Sequence, residues 1–309
     1  MQSLTTRPIL LDGALGTELE CRGLDLPLPL WTAQAVEEHP DLVRAIHQSY
    51  IRAGAHVITA ATFRTTRWTL SKVNRADEAE HLTKQAVELA RSAVPNLGRA
   101  SGAAGPGGVN SQARSTQLSE DAPAAMGPAP ALVAGSLAPL EDCFHPELAP
   151  GDLVLQAEHR HNAQSLANAG VDIILVETHN SLREARIATH FARATGIPVW
   201  TSFILKSPTE LLNGDSLEEA ARTVVKFGAG AVLINCTPLH IAAQAVMNMS
   251  MHVPQGILLG VYPNAHDETL SPAEFAEWAI KVSAIADILG GCCGIGPEHL
   301  AALKSRLLS

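Results

Sequence analysis

Eight apolar runs, each followed by a segment with helical periodicity, are the feature that most constrains how this chain of 309 residues can fold. Short apolar runs without polar alternation are typical of parallel strands that are covered on both faces. We predict strands at residues 9–12, 56–60, 131–137, 171–176, 199–205, 231–234, 257–261 and 286–289. Eight strand–helix units in one chain predict an α/β fold, a single (β/α)8 TIM barrel. A doubly wound open sheet is the alternative, because periodicity cannot separate the two.

Helix signals support the same alternation. Pro40 and Asp41 start a helix that Gly54 ends, and Pro95 follows a second helical segment. We predict helices at residues 40–53, 76–94, 153–169, 182–194, 217–227, 240–248, 273–285 and 297–307. Residues 206–215 are polar and are predicted to form a loop.

Residues 96–130 interrupt this pattern. They are rich in Gly, Ala, Ser and Pro and show no sustained apolar period, so we expect a flexible surface insert. A plain loop is favoured over a lid. The barrel domain is therefore predicted to span residues 1–309 with this insert inside it.

Composition narrows the class of protein. Hydrophobic residues make up 46% of the chain, which is enough for a large core, and aromatic residues only 4%. With 22 basic and 31 acidic residues and no basic cluster, nucleic acid is not an expected partner. No apolar run is long enough for a membrane span or a signal peptide. Five cysteines, two of them adjacent, predict a reducing, cytoplasmic compartment rather than a disulfide framework.

Polar residues follow several of the predicted strands directly. They are Asp12, Glu177, Cys236, Asn264, Cys292 and Cys293. Because all strands of a barrel end at the same rim, these side chains should converge there. Three thiolates plus an open position form a catalytic zinc (Zn2+) site, which would deprotonate a thiol substrate for attack on an electrophilic methyl group. The sequence therefore predicts a zinc-dependent thiol methyltransferase.

Several residues have less specific interpretations. Cys292 and Cys293 alone would be nearly as consistent with a redox-active vicinal disulfide, and Cys236 favours metal binding. Cys21 and Cys143 are interpreted as small hydrophobic residues. His179 is interpreted as a polar residue of the rim rather than a metal ligand.

The motifs LDGALGTEL, VET, INCTP, YPN and GGCCG resemble those of the homocysteine S-methyltransferase family. The resemblance covers nearly the whole chain apart from the insert. It implies a stand-alone, zinc-dependent barrel that methylates homocysteine to methionine, with S-methylmethionine or S-adenosylmethionine as the donor and betaine as a less favoured one. It also implies the ligands Cys236, Cys292 and Cys293.

Substrate contacts are carried over in the same way. Asp12 and Glu177 are expected to hold the amino group of homocysteine, and the amides of Gly13 and Ala14 its carboxylate. Asn264 is expected to orient the site or to fill the open metal position. The aromatic faces of Phe63, Trp68 or Tyr262 are candidates to receive the cationic donor.

The chain departs from the family pattern at Ala138, which replaces a glycine after the third strand, around His179, and in the long insert. These changes leave the three cysteines intact but leave the donor and the acceptor open. A zinc hydrolase is disfavoured, because three thiolates would not make a bound water strongly acidic. A non-catalytic protein that binds zinc and a thiol stays an alternative, and the oligomeric state is left open.

Overall fold

The computed structural model describes residues 7–95, 130–265 and 270–309. Eight parallel strands form one sheet. In chain order they are β1 (Ile9–Leu10), β2 (Val57–Ala60), β3 (Leu132–Leu137), β4 (Ile173–His179), β5 (Val199–Phe203), β8 (Ala231–Pro238), β9 (Leu258–Asn264) and β10 (Ile288–Leu289), with β6 (Leu205–Ser207) and β7 (Glu210–Leu211) forming a separate hairpin. Leu11 bridges to Val57 and closes the ring between β1 and β2. The predicted (β/α)8 barrel is confirmed.

Helices surround the sheet. They are α1 (Leu15–Cys21), α2 (Thr32–Glu38), α3 (Pro40–Ala53), α4 (Arg67–Ser71), α5 (Ala79–Ala93), α6 (Asp152–Ala169), α7 (Leu182–Ala194), α8 (Leu217–Lys226), α9 (Leu239–Ser250), α10 (Pro272–Val282) and α11 (Pro297–Leu308). No helix within the described ranges is long and apolar enough to cross a membrane.

The core has two layers, as expected of a barrel. One layer lies between the strands and the helices and consists mostly of Ala, Val, Leu and Ile. The other fills the barrel interior with side chains from alternate strand positions, among them Ile9, Leu175, Trp200, Leu233 and Ile288. Because this interior is packed, a ligand has access only at the ends of the strands.

The structure differs from the predicted elements in a few places. Residues 206–215, predicted as a loop, contain most of the β6–β7 hairpin. The short helices α1, α2 and α4 were not predicted, since none is long enough to show a period. β8 continues to Pro238 rather than ending at Ile234. The predicted insert, apart from Pro130, lies outside the described residues.

Candidate metal and substrate site

Three cysteine sulfurs meet at the carboxyl ends of the strands. Cys236 belongs to β8, while Cys292 and Cys293 follow β10, and the three Sγ atoms all lie within 4.8 Å of one another. The sulfurs of Cys236 and Cys293 are 3.9 Å apart. None of the five cysteines, all of which are described, forms a disulfide bond. The barrel thus brings together the three cysteines that were predicted from strand ends.

The dimensions of this cluster fit a tetrahedral metal ion. With Zn–S bonds of about 2.3 Å, two tetrahedral sulfur ligands lie about 3.8 Å apart, which is close to the Cys236–Cys293 separation. A disulfide would require about 2.05 Å. Hydrogen bonds with the Cys236 and Cys293 sulfurs, together with burial, raise the pKa of Cys292 well above that of a free thiol. Three adjacent thiolates therefore need a cation to stabilise them.

The backbone around Cys236 is held in an uncommon conformation. Cys236 has a φ of +49° and Thr178, at the end of β4, a φ of +60°. Non-glycine residues in this region are strained and persist only where the surroundings enforce them. Asn235 supplies part of that enforcement: its Oδ1 accepts from the Thr178 amide at 3.1 Å and from Ser202 Oγ at 2.6 Å, and its Nδ2 donates to Thr178 Oγ1 at 2.8 Å. Sequence reasoning missed Asn235, although it directly precedes Cys236.

Asn264 holds the other side of this strand end. Its Nδ2 donates to the Cys236 carbonyl at 2.8 Å and lies 3.9 Å from the Cys236 sulfur. Asn264 is not one of the described residues that line the cavity. Both predicted roles of Asn264, to orient the site or to fill the open metal position, stay predictions.

Two buried carboxyl groups lie on the wall of the same cavity. Asp12 Oδ2 accepts from the Thr59 amide at 2.7 Å and its Oδ1 from Thr59 Oγ1 at 2.9 Å, while Tyr262 Oη donates to Glu177 Oε2 at 3.2 Å. Burial raises the pKa of Asp12 to about 7 and that of Glu177 to about 7. Groups poised near neutral pH in a cleft are typical of functional sites.

The turn after β1 is tightly packed. Tyr50 Oη lies 3.2 Å from the Ala14 carbonyl and 3.3 Å from the Ile295 carbonyl, and a Cβ at Gly13 would lie only 2.4 Å from the Ile295 oxygen. The Ala14 amide donates to the Ile295 carbonyl at 3.4 Å. It therefore already has an acceptor, which differs from its predicted use for the carboxylate of a substrate.

The cavity has a volume of about 420 Å³, within the range typical of small-molecule sites. Phe63 and Tyr262 line it, as predicted for two of the aromatic candidates. Trp68 instead donates from Nε1 to Glu141 Oε1 at 2.8 Å, away from the cavity wall. Cys143 is buried, as expected of a small hydrophobic residue, but it also lines the cavity, and burial raises its pKa to about 12.

His179 is not a residue of the rim. It is fully buried, and its Nε2 donates to the Leu137 carbonyl at 3.3 Å. Its ring lies 5.8 Å from that of His159, whose Nε2 is 2.9 Å from Glu184 Oε1. The prediction that His179 is a polar residue of the rim was wrong, because β4 extends to His179 and its side chain packs in a buried polar cluster with His159.

Comparisons with known proteins agree with this geometry. The profile of the family described as "Homocysteine S-methyltransferase" matches residues 9–307. A homocysteine S-methyltransferase of Escherichia coli is 31% identical over 96% of this chain and 94% of its own length, and a selenocysteine Se-methyltransferase of Brassica oleracea is 30% identical over 97% and 89%. The metallated form of the homocysteine methyltransferase MmuM from Escherichia coli superposes with a TM-score of 0.78 at 27% identity, covering 98% of this chain and 97% of the other. These similarities confirm the resemblance predicted from the motifs: the chain belongs to the homocysteine S-methyltransferase family.

Proposed function

We propose that this protein is a zinc-dependent S-methyltransferase that moves a methyl group from a sulfonium donor to homocysteine and so forms methionine. The observation that supports this most strongly is the cluster of three cysteine thiols beside two buried carboxyl groups in one cavity. The family membership and the metallated structural relative support the same conclusion. We place the reaction in the cytoplasm, where free thiols persist.

Cys236, Cys292 and Cys293 would hold the metal. A bound zinc ion with three thiolate ligands would hold the acceptor's thiol in its deprotonated, nucleophilic form. Asn264 contributes by fixing the backbone of Cys236 through its 2.8 Å hydrogen bond. Asn235, which directly precedes Cys236 in β8, ties this strand end to Thr178 of β4 by its 2.8 Å hydrogen bond.

The two carboxyl groups would recognise the acceptor's ammonium group. Glu177 and Asp12 are buried, and each gains a counterion when an ammonium group enters. Tyr262 and Thr59 orient these carboxylates by hydrogen bonds that leave further oxygen lone pairs free to accept. An amino-acid thiol satisfies this arrangement better than a simple alkyl thiol does.

The transfer itself balances charge. The acceptor's sulfur forms a new bond to the methyl carbon, while the bond from that carbon to the donor sulfur breaks and its electron pair stays on the departing thioether. A cation and a thiolate become two neutral thioethers, and the thiol's proton leaves to solvent before the transfer. The residues around the site need only orient the two sulfurs in line and exclude competing nucleophiles.

The test is turnover by the full chain under reducing conditions with one equivalent of zinc. Homocysteine is combined in turn with S-methylmethionine, S-adenosylmethionine and betaine, and methionine is quantified. Because the relatives include a selenocysteine methyltransferase, selenocysteine serves as a second acceptor. We expect methionine from at least one sulfonium donor and about one zinc per chain. Zinc and homocysteine binding without a methylated product from any donor would favour the non-catalytic alternative.

A further inference from the structure

Arg64 is a buried arginine on the wall of the cavity. It is only 8% exposed, and among the described residues that line the cavity it is the one cationic side chain. The carboxyl groups on the same wall belong to Asp12, Glu20, Asp142 and Glu177. A cavity that otherwise favours positive charge therefore contains a single point that favours an anion.

The guanidinium of Arg64 lacks a carboxylate partner of its own. Within the described residues it forms no ion pair with an Asp or Glu; the nearby charges of Asp142 and Glu141 act on it without such a contact, and its hydrogen bond runs from Nη1 to the Glu141 carbonyl at 3.3 Å. Its Nε is buried without a hydrogen-bond partner. Other arginines that are more exposed are paired: Arg75 with two glutamates and Arg91 with Asp172.

An incompletely paired buried charge is costly, and a functional anion is the simplest reason to retain it. Burial lowers the pKa of Arg64, but an arginine keeps its proton at any physiological pH. The Phe63 ring lies 5.3 Å from the guanidinium carbon and supports the group from one side. A planar, supported guanidinium is suited to a bidentate contact with a carboxylate.

The position of Arg64 indicates which substrate supplies that carboxylate. Its hydrogen bond to Glu141 ties it to the loop that carries Asp142 and Phe144, and Phe144 is 51% exposed where it lines the cavity. This loop, with its exposed Phe144, forms part of the mouth, whereas Asp12 and Glu177 lie at the ends of β1 and β4. The acceptor is assigned to those buried carboxyl groups, so the mouth is left for the donor.

We infer that Arg64 binds the carboxylate of the methyl donor and thereby selects onium donors that carry a carboxylate. This inference rests on the proposed function. It also explains why a site for a cationic donor contains a guanidinium. The donor's carboxylate would lie between the Arg64 guanidinium and the donor's onium centre, at the end of the donor remote from the reacting methyl group.

The experiment compares S-methylmethionine with its carboxamide at saturating homocysteine on the zinc-loaded full chain. For the unmodified protein we expect kcat/KM to fall by about 10- to 100-fold when the carboxylate becomes an amide, as is typical for loss of a charged hydrogen bond. In Arg64→Gln the two donors should become equivalent within about twofold, with the KM for homocysteine unchanged. Arg64→Lys should retain part of the preference, because it keeps the charge without the fork.

Arg160→Gln is the matched control. Its guanidinium lies 4.8 Å from the Phe191 ring, but it is exposed on the outer surface, so the preference for the acid should stay intact. If Arg64→Gln fails to fold, comparing the kcat/KM of the two donors on the unmodified protein and on Arg64→Lys still tests whether Arg64 binds the donor carboxylate. Equal use of acid and amide by the unmodified protein, or an effect of Arg64→Gln on homocysteine alone, would overturn the inference.

Failure of the proposed function gives a different result. If no onium donor yields a methylated product, equilibrium binding of S-methylmethionine and of its amide to the unmodified protein and to Arg64→Gln is measured instead. A preference for the acid that disappears in Arg64→Gln would support the role of Arg64 even then. The same affinity for acid and amide in both proteins would reject it.

Discussion

Replacing Glu177 with glutamine should stabilise the ligand-free protein at alkaline pH while impairing its substrate site. Burial raises the pKa of Glu177 from 4.5 to about 7. The folded protein therefore keeps a proton that the unfolded chain loses between these two values. At about 1.36 kcal/mol for each pH unit, this difference corresponds to about 3 kcal/mol.

The sign follows from the direction of the shift. Since the folded state binds the proton more tightly, the free energy of unfolding falls as the pH rises from about 4.5 to about 7. Glutamine carries no charge and avoids this loss. Relative to the unmodified protein, Glu177→Gln should gain about 1 kcal/mol at pH 5 and about 3 kcal/mol at pH 8. Tyr262 can still donate to the amide oxygen of the glutamine.

Urea denaturation of the metal-free, reduced protein at pH 5 and pH 8 measures this difference. In the zinc-loaded protein the same substitution should raise the KM for homocysteine by about tenfold or more, because an ammonium group loses its anionic partner. Glu88→Gln, at a glutamate whose side chain is 63% exposed, should change stability by no more than about 0.5 kcal/mol at either pH. A destabilised Glu177→Gln at pH 8, or a gain independent of pH, would refute the reasoning.

Two further predictions concern the metal ligands and the turn after β1. Cys292→Ser should reduce bound zinc from about one per chain to near zero and abolish turnover, because a thiolate ligand is lost. The control Cys21→Ser should retain both zinc and turnover. Metal analysis and a turnover assay test this, and full activity of the Cys292 variant would contradict the metal mechanism. Gly13→Ala should lower the melting temperature and raise the KM for homocysteine, because its Cβ would lie 2.4 Å from the Ile295 carbonyl oxygen. The control Gly151→Ala, whose Cβ would have no atom within 4 Å, should change neither quantity. A Gly13 variant as stable and active as the control would show that the turn adapts without cost.

Much of the architecture could be predicted because its signals are local. The helices Pro40–Ala53 and Leu182–Ala194 have the predicted bounds, since Pro40, Gly54 and the periodic apolar positions are read within single segments. β8 was predicted to end at Ile234 because the apolar run ends there. In the structure Asn235 pairs with Tyr262 of β9, a contact that no local pattern reveals.

The candidate site divides in the same way. Cys236, Cys292 and Cys293 were predictable because a cysteine after an apolar strand is visible in one dimension and a barrel brings all strand ends to one rim. Arg64 and His179 were not, since their roles depend on burial and on partners far away in the chain. Arg64 becomes informative only once its guanidinium is seen to be buried, supported by Phe63 and incompletely hydrogen-bonded.

The sequence by itself determined the alternation of strands and helices, the family and the chemical type of the proposed metal ligands, because each depends on residue types and short spacings. Only the tertiary structure decided the separation of the sulfurs, the raised pKa of Asp12 and Glu177 and the burial of Arg64 with its Nε left without a hydrogen-bond partner. These properties arise from desolvation and from contacts between strands distant in the chain, and both exist only after the ring has closed.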